Sequence, residues 1–128
     1  SIAISLFEFL EDKAPGTDLQ IFGTDIDEDS IQMARRGIYA QNISLDVSTE
    51  RLNRFFIRKD GDYQVSRRIR DAVVFSRQNI LKDAPFSRID LVSCRNLLFY
   101  LQPVGQKKVL RVAHYSLKPS GFRLLGSS

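Results

Sequence analysis

A chain of 128 residues, 43% hydrophobic and 27% charged, has the size and mixture of one small globular domain. No apolar run approaches the roughly 20 residues of a membrane span, and the opening SIAISLFEFL is broken by Glu8 and followed by Glu11 and Asp12, so no membrane insertion is expected. The lone Cys94 and lone His114 exclude an internal disulfide or Cys/His metal cage and suit a reducing cytoplasm, and a net charge of +4 is by itself a weak argument for nucleic acid.

Residues 1 to about 13 carry Ile2, Leu6, Phe9 and Leu10 at helical spacing, and Pro15-Gly16 ends the pattern. The segment DLQIFGTDI then reads as a buried strand closed by Asp25 and Asp27. Asp27 is placed to cap a following helix. Glu28 and Asp29 put negative charge in its first turn, Ile31, Ala34 and Ile38 mark an apolar face, and Gly37 stops it.

Residues 38 to about 72 break this helix–strand rhythm and are expected to form an inserted small subdomain. Ser48 can cap a short helix bearing Leu52, Phe55 and Phe56, and DGDYQVS reads as a turn into a short strand. Arg51 through Arg70 hold the chain's excess positive charge, offset only by Asp60 and Asp62. The rhythm resumes with AVVFSRQNIL and RIDLVSC, the second a nearly continuous apolar run typical of a strand covered on both faces. Pro103 suits a first helical position, Val109, Val112, Ala113 and Leu117 supply the face of that helix, and Lys118-Pro119-Ser120-Gly121 turns into a strand FRLLG. The expected class is α/β, with residues 1–37 and 73–128 forming one incomplete α/β domain around the 38–72 insert.

Open α/β sheets collect ligands at the carboxyl ends of their strands, where an acidic residue after the second strand commonly takes the ribose hydroxyls. Asp25 has that position, and either binds such hydroxyls or serves only to cap the next helix. Arg77-Gln78-Asn79 and Ser93-Cys94-Arg95-Asn96 end two further strands, so polar groups converge from three of them. Tyr100 lies one helical turn beyond Asn96, where it either shares the face of that site or packs in the core. Cys94, in an apolar strand, reads as a structural thiol, and His114 as a packing or surface residue. Asp90 supports either the sheet or a site, and Met33 is helix surface or core. The seven glycines are scattered, so neither a G-x-G-x-x-G nor a Walker phosphate loop is present.

In order along the chain, GTDID, RRGIY, STERLNRFF, VVF…QNIL, DLVSCRNLLFYL and LKPSGF resemble the CheR-type chemotaxis receptor methyltransferases over essentially the full length. Each motif is weak alone, and the ordered set is specific. The resemblance implies a partial Rossmann-like S-adenosylmethionine methyltransferase fold whose first strand, with its cofactor loop, precedes Ser1. It implies Asp25 as ribose ligand, Asn79 and Ile80 around the adenine, Arg95 and Asn96 as cofactor contacts, and Arg95 with Tyr100 flanking the substrate carboxylate. The activity implied is methyl transfer from S-adenosylmethionine to glutamate side chains of chemoreceptors or related signalling proteins, leaving S-adenosylhomocysteine.

By the same resemblance, the insert is the β-subdomain that in some members docks a peptide tethered to receptor tails. The short link IRKDGDYQV lacks the Gly-containing loop of those members, so tether binding is not expected. Short-link forms occur fused to methylesterase, PAS or kinase modules, which makes a multidomain parent the expectation. Without the first strand the isolated chain is expected to be inactive, its sheet gapped, abnormally closed or completed by a partner's strand. Two other readings compete. One is a non-catalytic cofactor-sensing or docking domain; the other is nucleic-acid binding through Arg51, Arg54, Arg67, Arg68 and Arg70, which is disfavoured because no nucleic-acid motif accompanies them.

Overall fold

The computed structural model describes residues 2–94 and 102–124. They belong to two compact units, Ser1–Arg77 and Gln78–Ser128.

In the first unit, helix α1 (Ile2–Lys13) leads into strand β1 (Ile21–Asp25) and helix α2 (Glu28–Arg36). Asp27 caps α2 by accepting the N–H of Asp29, and Gly37 ends it in the left-handed conformation. Strand β2 (Ile38–Tyr39), a 3-10 turn (Gln41–Leu45), helix α3 (Thr49–Phe55), strands β3 (Phe56–Lys59) and β4 (Asp62–Val65), and helix α4 (Arg67–Ala72) follow. Strand β5 (Val73–Arg77) completes the unit.

β1 and β5 pair in parallel, Ile21 opposite Val73 through Asp25 opposite Arg77. The sequence suggests a fully buried β1, but Phe22 and its register partner Val74 remain 46% and 47% exposed. The reason is that, among the described residues, the β1–β5 sheet has only these two strands, and α2 packs against it. Gly23 is required where it stands, since a Cβ there would meet the Phe75 ring at 2.6 Å.

β2, β4 and β3 form a separate antiparallel sheet in that order. Its β3–β4 hairpin turns at Asp60 and Gly61, both at positive φ (49° and 83°), as a two-residue turn between twisted strands requires. Buried Gln64 donates to the Arg36 carbonyl at 2.9 Å, satisfying an acceptor that the end of α2 leaves open. The main core of the unit joins α1 to this region: Ile4, Leu52, Phe55, Phe56 and Ile69 are buried together, with Ala3, Phe7 and Tyr63 against them.

That core corrects two readings of the sequence. The buried face of α1 is set by Ile4, whereas Phe9 is 59% exposed. Within the insert, α4 adds a six-residue helix that the apolar pattern does not announce, with Ile69 as its one buried residue. The arginines of the basic stretch are engaged locally, four of them by carboxylates. Arg51 pairs with Glu8 at 2.8 Å, Arg54 and Arg68 both pair with Glu11, and Arg67 pairs with Asp71 at 3.6 Å. Arg58 bonds the Tyr63 hydroxyl and Arg70 the Val65 carbonyl, so every arginine of the stretch has a partner.

In the second unit, strand β6 (Ile89–Ser93) and strand β7 (Leu117–Leu124) pair in parallel, with helix α5 (Pro103–Ser116) preceding β7. Pro103 starts α5, and Val109 and Ala113 are its buried anchors at 0% and 2% exposure. The turn expected at Lys118–Gly121 is drawn into β7, which is a single strand from Leu117. It survives as an irregularity, since Ile89 faces Leu117 while Leu91 faces Phe122. β6 is less covered than its apolar run suggests, with Leu91 38% exposed in a sheet that has two strands among the described residues. The architecture is mixed α/β with parallel strand pairs, as expected for a partial Rossmann-like methyltransferase sheet. No described helix is long and apolar enough to cross a membrane.

Candidate functional site

Asp25 is the last residue of β1 and is exposed. Its Oδ1 accepts the N–H of Asp27 at 2.9 Å, which leaves Oδ2 without a partner among the described residues. The two roles considered for Asp25 therefore separate. Asp27 is the helix cap, accepting the Asp29 N–H at 3.2 Å and the Ser30 hydroxyl at 2.7 Å, whereas Asp25 closes the turn before it with one oxygen. A carboxylate with one oxygen unpaired among the described residues, at a strand's carboxyl end, has the acceptor capacity that a ribose diol requires. The Asp27 carboxyl lies below its ordinary pKa, chiefly because Ser30 donates to it and next because Asp29 does.

Asn79 and Ile80 follow Gln78 at the start of the second unit. The Asn79 side-chain oxygen accepts the Leu81 N–H at 3.0 Å, so its carboxamide hydrogens are the groups left for an external acceptor such as an adenine nitrogen. Its N–H donates to Asp83 at 2.7 Å and its carbonyl accepts from Lys82 and Asp83, which makes the segment a closed turn. Ile80 is partly exposed, an apolar surface next to those polar groups. These features fit an adenosyl group. Arg95, Asn96 and Tyr100 lie outside the described residues. Asp25 belongs to one unit and Asn79 and Ile80 to the other, and each is described within its own.

The remaining candidates resolve individually. Cys94 is buried, and burial pushes its thiol pKa up, which suits a structural thiol and not a nucleophile. Asp90 pairs with Lys118 at 3.1 Å across β6 and β7, a contact within the sheet. His114 and Met33 are exposed on their helices. An open cleft of about 600 Å³, lined by Arg88, Tyr115, Leu117 and Lys118 among others, lies at the amino ends of β6 and β7 and contains none of the expected cofactor residues.

The sequence reading noted Arg77 only as a polar strand end. In the structure its Nε donates to the Ile26 carbonyl at 2.9 Å, and Arg35 of α2 donates to the Phe75 carbonyl at 2.9 Å. Aligning the two strand ends would have placed Arg77 beside Asp25; the reach of its side chain to the next peptide is a property of the fold.

Comparison with known proteins gives the same answer along the whole chain. Residues 1–128 match the family model described as CheR methyltransferase, SAM binding domain. A chemotaxis protein methyltransferase of Vibrio parahaemolyticus is 35% identical over 134 residues, covering 100% of this chain and 48% of that protein. The chemotaxis protein methyltransferase of Salmonella typhimurium is 34% identical over 137 residues, covering 100% of this chain and 46% of its own length. An uncharacterised 104.1 kDa protein of Rhodobacter capsulatus is 39% identical over 128 residues, all of this chain but 13% of that protein. The chain thus spans about half the length of the named methyltransferases and a small part of the larger relative. With S-adenosylmethionine as the cofactor of its family, the chain belongs to the CheR methyltransferases, as their cofactor-binding domain.

Proposed function

We propose that the protein containing this chain transfers a methyl group from S-adenosylmethionine to glutamate side-chain carboxylates of chemoreceptor-like signalling proteins. The observation that carries the proposal is Asp25, an exposed carboxylate with one oxygen fixed by the turn and the other without a partner among the described residues, at the strand end where such a fold takes a ribose. The family match along residues 1–128 and the chemotaxis methyltransferases among the relatives support the reaction and the substrate class.

Bound S-adenosylmethionine supplies a methyl on a sulfonium, activated for transfer. A glutamate side chain has a reference pKa near 4.3 and is already the anionic nucleophile at neutral pH, so no general base is required. The protein's task is orientation. Asp25 takes the ribose hydroxyls, Asn79 and Ile80 border the adenine, and Arg95 and Asn96 contact the rest of the cofactor. Arg95 holds the substrate carboxylate by a forked pair of charge-assisted bonds, and Tyr100 donates one more. Transfer neutralises both charges, so these donors orient the carboxylate without overstabilising it.

The 104.1 kDa relative supports a multidomain parent. In the intact parent, Asp25→Ala should weaken S-adenosylhomocysteine binding at least tenfold by calorimetry, as loss of hydrogen bonds to a charged acceptor predicts. Unchanged affinity removes the ribose assignment.

A further inference from the structure

Asp25 acts from a turn. The turn runs from Asp25 through Ile26 to Asp27, closed by the Asp25 side chain on the Asp27 N–H at 2.9 Å. An Asx side chain bonded to its own backbone in this way points where the peptides of the turn put it. The central carbonyl of the turn, that of Ile26, accepts Nε–H of Arg77 at 2.9 Å. Arg77 ends β5 and is the register partner of Asp25, so its side chain crosses the strand ends and grips the peptide after its own neighbour. On the far side of the turn, Asp27 fixes the first turn of α2, and Arg35 near the end of that helix binds the Phe75 carbonyl of β5 at 2.9 Å. The helix is thereby secured independently of Arg77. Beyond the strand pairing of Asp25 with Arg77, the side-chain bond that ties the Ile26 peptide to β5 among the described residues is the one from Arg77.

We infer that Arg77 is a positioning residue for the cofactor's ribose. By holding the Ile26 peptide it keeps the Asp25 carboxylate in the orientation that presents Oδ2 to the ribose hydroxyls. Arg77 itself need not touch the cofactor. The inference rests on the reading of Asp25 as ribose ligand.

The test compares S-adenosylhomocysteine with its 2′-deoxyribose analogue, titrated by calorimetry into the intact parent protein. The unsubstituted protein should prefer the ribose form on the order of tenfold or more, the scale of a hydrogen bond to a charged acceptor. Arg77→Ala should reduce that preference severalfold, because a carboxylate that wanders gains less from the hydroxyl. Arg77→Lys retains one donor for Ile26 and should keep most of the preference. If Arg77→Ala weakens both ligands by the same factor and leaves the preference intact, Arg77 merely supports the fold and the inference is wrong. A loss in Arg77→Lys as large as in Arg77→Ala likewise overturns the clamp, and this comparison stands even where the alanine variant folds poorly. Asp25→Ala separates the two layers: if it leaves the preference unchanged, the ribose reading itself has failed.

Discussion

Asp25 and Asp27 sit two residues apart at the end of the same strand, yet the fold gives them different work. Asp27 is held by Ser30 and Asp29 with its pKa lowered, so the bonds that stabilise the α2 start belong to its ionised form. A group whose folded pKa is depressed contributes fully above its unfolded value and loses that contribution as pH falls through the folded one. Asp27→Ala should therefore lower the thermal midpoint at pH 7, and the gap from the unsubstituted protein should narrow below about pH 4. A gap of equal size at pH 7 and pH 3 would contradict the ionised cap. Gly23 is constrained by packing alone. Its substitution by alanine forces the Phe75 ring aside and should cost about 1–3 kcal/mol, the usual range for overpacking, read as a lower denaturation midpoint. The GTDID segment made both aspartates visible in the sequence. Which of them capped the helix required the geometry, because either spacing allows an Asx turn.

At the scale of elements, α1 is held to α3 and α4 by two different kinds of contact, and their magnitudes differ. Glu11 meets Arg54 and Arg68, but these side chains are 33%, 46% and 53% exposed, so the pairs are partly screened. Glu11→Ala should cost about 1 kcal/mol or less, and less still in high salt. Phe55, 1% exposed in the core that α1 covers, should cost about 3–5 kcal/mol on substitution by alanine. Denaturant midpoints of the two variants should rank in that order, and the reverse order would mean that charge, not burial, seats the helix. The sequence made α3 legible through Ser48 and the Leu52–Phe55–Phe56 spacing. It concealed α4, because Ile69 and Ala72 alone among six residues are too few to show a helical period. Phe9 was not separable from the buried face because the seven apolar residues of α1 fit more than one face, and the choice depends on where α3 and α4 lie.

For the whole molecule, the alternation of helices and strands was readable because parallel strands need a crossover, and GTDID, VVFSR and DLVSC each end such a strand. Coverage of those strands was not readable. An apolar run reports what a strand is built to bury, and β1 and β6 each stand in a two-stranded sheet among the described residues, leaving Phe22 and Leu91 partly open. Ordered motifs identified the family, and the match across residues 1–128 established it. The central claim is that these residues serve a carboxylate methyltransferase in the parent protein. Its most direct test incubates the intact parent with methyl-labelled S-adenosylmethionine and the cytoplasmic portion of a chemoreceptor, then treats the receptor with base. Label should be released as methanol from glutamyl methyl esters, with release abolished by Arg95→Ala. Tight cofactor binding with no base-labile label on the receptor would contradict it.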